Sequence, residues 1–292
     1  MDATSKTQPD IGSDTGPGAD RRSRCWARFT SSPLGRLVIG LVGIGLVSGL
    51  TATGPGPIPV LGAAVAVAVY WWVTHRVAGR PVPEIARRGA VREAALGGGI
   101  GLGFILVPVL ILTLFGGYSF SRAGHGFLPV LWTTVVVQIG GAVTEELLFR
   151  GLALRAFEEM WGSGAAVVIT SLFFGVAHLG AEEATLWSAL AIAVEAGVLL
   201  GAAFLWRRSI WFVAGLHFTW NAAEQLLGIP VSGHTPEGWF TLDAHGPAFL
   251  TGGGFGLEAS ILPVLLGAAI AAWMLRRART SGGIKTRTRA AC

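Results

Sequence analysis

A succession of near-continuous apolar runs, roughly 16–23 residues each, limits what this chain can become more than any other feature. In lipid, backbone polar groups must be satisfied within the protein, so only helices or closed barrels can span a membrane. Barrel strands alternate apolar and polar residues over about ten positions. The runs here do not alternate and are longer, so they are predicted to be helices. Eight are read, over 37–53, 58–73, 94–115, 127–144, 164–180, 184–206, 209–228 and 259–275. The fold class is therefore all-α, a polytopic transmembrane bundle of about eight helices. Gly54, Pro55, Gly56, Pro57 and Pro59 make a tight turn between the first two. The stretch 81–93, with Arg87, Arg88 and Arg92, reads as a short amphipathic helix on the membrane surface.

Charge supports lipid as the solvent. Only 13% of residues are charged, against about 25% in soluble domains. The net charge of +5 does not point to a nucleic-acid partner, because the basic residues fall in short clusters between apolar runs. That pattern is what membrane orientation produces. With the N-terminus in the cytoplasm, every one of the 22 Lys and Arg residues except Arg122 falls on an inside segment. Both termini are thus expected in the cytoplasm. The abundance of Ala, Gly and Arg points to a GC-rich bacterial genome, so the expected location is a bacterial cell membrane. Residues 1–33 read as a disordered cytoplasmic tail, 34–277 as the membrane bundle and 278–292 as a basic cytoplasmic tail. Cys25 and Cys292 sit near opposite ends, with neither metal spacing nor a disulfide framework. Cys292 is the last residue, which excludes a prenylation box.

Ionisable groups inside membrane segments are costly and point to function. The fourth run ends in Glu145-Glu146-Leu147-Leu148-Phe149-Arg150, the fifth in Phe174-Gly175-Val176-Ala177-His178, and the seventh carries His217-Phe218-Thr219-Trp220-Asn221. Glu195 stands alone in the sixth, and Glu224 follows Asn221. Glu146 and Arg150 are four apart and share a helix face, as do His217 and Asn221. Glu145 is rotated by about 100° from Glu146, so the two carboxylates need not share a role. The turn Trp161-Gly162-Ser163-Gly164 sends the chain back, and Glu146 and His178 lie equally far from Gly162 on either side. In a helical hairpin they fall at one height. His217 is about 13 Å of helix rise from Arg207 and Arg208. Three helices can thus bring a carboxylate, two imidazoles and an amide together inside the membrane, nearer the cytoplasm.

Two chemistries suit that set. Glu146, His178 and His217 form a donor set that zinc accepts, with a second carboxylate to activate water. Without metal, a buried glutamate takes the proton from water directly, while His and Asn hold the water or stabilise an oxyanion. Both lead to hydrolysis.

At these motifs the sequence resembles the CPBP family, the type II CAAX prenyl proteases and their bacteriocin-processing relatives. The family pattern is Glu-Glu-x-x-x-Arg, then Phe-x-x-x-His, then His-x-x-x-Asn, and all three occur here in order over about 128–227, the CPBP-like core. The resemblance implies a membrane endopeptidase with a cavity open to the cytoplasmic side. It implies Glu145 or Glu146 as the water-activating residue, His178 and His217 as metal or water ligands, and Asn221 at the oxyanion, with Arg150 in support. The substrate would be a peptide or membrane protein, lipidated in eukaryotic relatives. Two other readings compete: a non-catalytic scaffold or immunity protein, and a small transporter relaying protons through Glu195, Glu145, Glu146 and the histidines.

Overall fold

A computed structural model describes residues 29–30 and 32–286. The expected disorder of the N-terminal tail falls outside the described residues, apart from its last few, and Cys25 and Cys292 also lie outside them. The chain is a helical bundle: α1 (Pro33–Thr51), α2 (Ile58–Trp72), α3 (Ala90–Leu114), α4 (Phe127–Glu146), α5 (Arg155–Ala177), α6 (Leu186–Ile192), α7 (Leu199–Arg207), α8 (Ile210–Leu227) and α9 (Ile261–Thr280). Among the described residues, six segments are long and apolar enough to cross a membrane. Leu50, Leu110, Leu114, Leu128 and Leu186 are each more than half exposed, an outer surface that water would not tolerate and lipid does. The protein is an integral membrane protein.

One of those six segments runs from Phe127 to Gly180. It contains both α4 and α5, joined by the wide π-helical turns of Leu147–Leu154. Inside it, Gly162 leaves helical geometry with φ 84° and ψ 167°, a conformation open to glycine and not to residues with a Cβ. The chain reverses there, because the Phe149 and Phe174 rings meet at 4.7 Å. Helix α8 is not among the six. Its 18 residues include His217, Asn221, Glu224 and Gln225, and α3 and α4 pack against it, so it need not be apolar.

Glycine spacing sets how closely α3 and α8 approach. A Cβ on Gly97 would stand 1.9 Å from the Phe212 carbonyl oxygen, and one on Gly101 would stand 2.1 Å from that of Leu216. The two backbones therefore touch through a small-xxx-small face. Thr219 Oγ1 adds a hydrogen bond of 2.8 Å to the Gly98 carbonyl. Ser209 caps α8 by accepting from the Phe212 amide at 3.3 Å, and Gly228 ends the helix at φ 72°.

The basic end of the bundle is stitched by ion pairs. Arg36 pairs with Glu159 and Arg207 with Glu93. Arg208 grips Glu158 with two bonds of 2.7 Å. Glu84 is buried and meets Arg80 at 2.8 Å and Arg155 at 3.2 Å, with Tyr70 donating to it. Burial raises the Glu84 carboxyl, but Arg155, Arg80 and Tyr70 outweigh it and hold it below the usual range.

Two expectations need correction. Residues 81–89 form no surface helix: a single 3-10 turn, Pro83–Ile85, is followed by Gly89 at φ 82° before α3 begins. Proline and the left-handed glycine stop a helix there. The tail expected from 278 starts as the last turn of α9, and residues 283–285 dock on the α5 reversal. The Ser163 amide donates to the Lys285 carbonyl at 2.9 Å, and the Lys285 amide donates to Ser163 Oγ at 2.8 Å. Finally, the structure adds a short antiparallel pair, β1 (Tyr118–Arg122) with β2 (Phe240–Ala244), at the opposite end of the bundle. Arg122 lies over the Trp239 ring there, 4.0 Å from its centroid.

Candidate functional site

The site begins where α4 widens. Glu146, its last residue, is fully buried. Its Oε1 accepts from Arg150 Nη1 at 3.0 Å and from His217 Nδ1 at 2.9 Å. Arg150 Nη2 reaches across to the Ala196 carbonyl at 2.9 Å, in the π-helical segment Ala193–Val198 between α6 and α7. The four-residue spacing of Glu146 and Arg150 thus makes a buried ion pair that joins three helices. Replacing a π turn by an α turn would shift these side chains around the helix, and such turns concentrate at functional sites.

Phe174 explains the second motif. Its ring stacks near His178 at 4.8 Å and lies 6.4 Å from His217, with the Arg150 guanidinium 4.8 Å above it. His178 Nδ1 is 2.7 Å from the Phe174 carbonyl. A carbonyl only accepts, so Nδ1 carries the proton. The Glu146 carboxylate assigns the same tautomer to His217. Both rings therefore keep Nε2 as an acceptor when neutral.

Glu145, His178, His217 and Asn221 line one cavity of about 580 Å³. Glu146 does not line it. The two glutamates separate as their rotation on the helix suggested: Glu145 faces the cavity, and Glu146 holds His217 and Arg150 from behind. Asn221 Oδ1 is buried and without a hydrogen-bond partner, an unfilled acceptor that a ligand or water would satisfy.

The expected zinc set is not gathered on one cavity: His178 and His217 line it, and Glu146 stands behind His217. Among the described residues no three His, Cys, Asp or Glu side chains are grouped to hold a metal. Glu146 Oε1 is shared between Arg150 and His217, and its Oε2 has no hydrogen-bond partner. Glu195 and Glu224 do not line the cavity: both are fully buried, and none of their carboxylate oxygens has a hydrogen-bond partner.

Sequence reasoning missed Glu258. It is buried and lines the cavity, with Oε2 accepting from the Ser232 amide at 2.6 Å and from Ser232 Oγ at 2.9 Å. Burial pushes its carboxyl above the usual range, against the opposing pull of His178 and Ser232. Gln138 and Gln225 were missed as well; they bond to each other at 2.8 Å in the wall. The one signal available for Glu258 was a carboxylate next to an apolar run in a segment, 229–258, without Lys or Arg.

The cavity is lined by Ser48, Thr51, Pro59, Thr133, Val231 and Glu237 at the helix ends that bear the β1–β2 pair. The stitched basic end contributes none of its lining.

Residues 126–223, about a third of the chain, match the family model described as Type II CAAX prenyl endopeptidase Rce1-like. The matched stretch holds all three motifs, from Glu145 to Asn221. No curated protein and no solved structure matches the chain.

Proposed function

We propose, from the match of this stretch to the CAAX-protease family model, that the protein is an intramembrane endopeptidase in which Glu145 activates water. The observation that carries the reading is the single cavity shared by Glu145, His178, His217 and Asn221. Water held there donates one hydrogen to the Glu145 carboxylate and the other to an imidazole Nε2. Its lone pair then attacks the scissile carbonyl carbon. The Asn221 amide donates to the carbonyl oxygen as it becomes anionic. Glu145 returns the proton to the leaving nitrogen, and the C–N bond breaks. Glu146 is a positioning residue that fixes the His217 tautomer, and Arg150 holds Glu146. No step passes through a metal. A transporter relay through Glu195, Glu145, Glu146 and the histidines would need Glu195 and Glu146, and neither lines the cavity that holds Glu145, His178 and His217.

The test is cleavage of quenched fluorescent peptides by the purified protein. Glu145→Gln is expected to lose about 10²–10⁴-fold in rate, the usual contribution of a general base, with its melting unchanged. A Glu145→Gln protein as active as wild type would overturn the assignment.

A further inference from the structure

The place and charge of the cavity mouth carry an inference about substrate that rests on the endopeptidase reading. Ser48 and Thr51 lie in the last turn of α1, Pro59 in the first of α2, and Thr133 near the start of α4. Ser232 and Glu237 come from the 229–258 segment. All sit at the end opposite Arg36, Arg80, Arg155, Arg207 and Arg208, which are gathered by Glu159, Glu84, Glu93 and Glu158. Basic residues stay on the cytoplasmic side, so the mouth faces away from the cytoplasm.

The second observation is electrostatic. Glu145, Glu237 and Glu258 line the cavity beside His178, His217 and His234, and no Lys or Arg does. A peptide ending in a free carboxylate would meet the Glu145 and Glu237 carboxylates with no Lys or Arg in the lining to offset them, in a medium where such repulsion is strong. A Lys or Arg side chain would be matched. Gln138, Gln225 and Asn221 add neutral hydrogen-bonding groups that suit peptide backbone. We infer that the site takes a cationic peptide segment presented from the extracytoplasmic side, and not a cytoplasmic C-terminus.

Two measurements test this. In the full chain with Cys25→Ser and Cys292→Ser, His234→Cys reports the mouth and Arg87→Cys the basic end. A membrane-impermeant maleimide added to intact cells is expected to label position 234, and to label position 87 only after permeabilisation. Any other pattern overturns the orientation. The purified protein is then given two quenched peptides with one apolar core, flanked by Lys or by Glu, with binding read by anisotropy and cleavage by fluorescence. The Lys-flanked peptide is expected to bind at least tenfold more tightly at low salt, with the advantage shrinking as salt rises. Equal binding, or preference for Glu, overturns the substrate class. Selective binding of the Lys peptide without cleavage refutes the endopeptidase reading and leaves the substrate class standing.

Discussion

Removing the Glu146 carboxylate separates its positioning role from chemistry. In Glu146→Ala, Arg150 stays almost wholly buried and loses its only anionic partner among the described residues. Breaking a buried ion pair by deleting one partner costs about 3–5 kcal/mol. Arg150 keeps its bond to the Ala196 carbonyl, which places the expectation near the lower bound, about 3 kcal/mol. His217 also loses its Nδ1 acceptor, so activity should fall with stability. Glu146→Ala/Arg150→Met removes the stranded charge and should recover most of the stability, because an apolar replacement of a buried pair is often neutral. It should not recover activity, since His217 remains unheld. The assay is unfolding in one fixed detergent for wild type, both single variants and the double, analysed as a cycle, beside peptide cleavage. A Glu146→Ala protein as stable as wild type would show that the pair is not the lock described here. So would a double variant no more stable than Glu146→Ala.

Further outcomes follow from the packing and charge. Gly97→Val should abolish folding or assembly of the bundle, because its first side-chain atom already falls 1.9 Å from the Phe212 carbonyl oxygen; a monodisperse, wild-type-like melt would contradict the backbone contact. Glu84 has a folded pKa below its ordinary value, so its contribution is complete above the unfolded pKa and is lost as pH falls through the lowered one. Acid melts of Glu84→Gln should therefore be flatter below pH ~4.5 than those of wild type, and parallel curves would remove Glu84 as a source of acid lability. Cleavage should persist after chelation, because no ligand triad is gathered among the described residues; loss on chelation with recovery on adding Zn²⁺ would reverse the metal-free assignment.

The parts of the fold that were legible in the sequence are those set by local chemistry. Long apolar runs define helices wherever lipid is the solvent, and Trp161-Gly162-Ser163-Gly164 marks the reversal. The reversal plus two motif spacings was enough to place Glu146 and His178 at a similar height. What sequence could not assign was which glutamate faces the cavity. That depends on His217, 71 residues away along the chain, claiming Glu146 Oε1. The β1–β2 pair escaped notice because each five-residue strand means little without its partner across the chain. Glu258 escaped for a similar reason: its bond to Ser232 depends on how an irregular loop folds back. The surface helix expected over 81–93 forms only from Ala90 onward, because Pro81, Pro83 and the left-handed Gly89 interrupt it.

The wide turns of Leu147–Leu154 carry a consequence for how this region tolerates insertion and deletion. A π turn holds more residues than an α turn, so losing one residue there could leave an unbroken helix. The helix would survive, but everything after the deletion would swing by about 100° relative to Glu145 and Glu146. Arg150 would leave the Ala196 carbonyl, and Phe174 would no longer meet Phe149. Segment length here acts as a phase setting between the carboxylates and the returning helix, and composition alone would not reveal its loss.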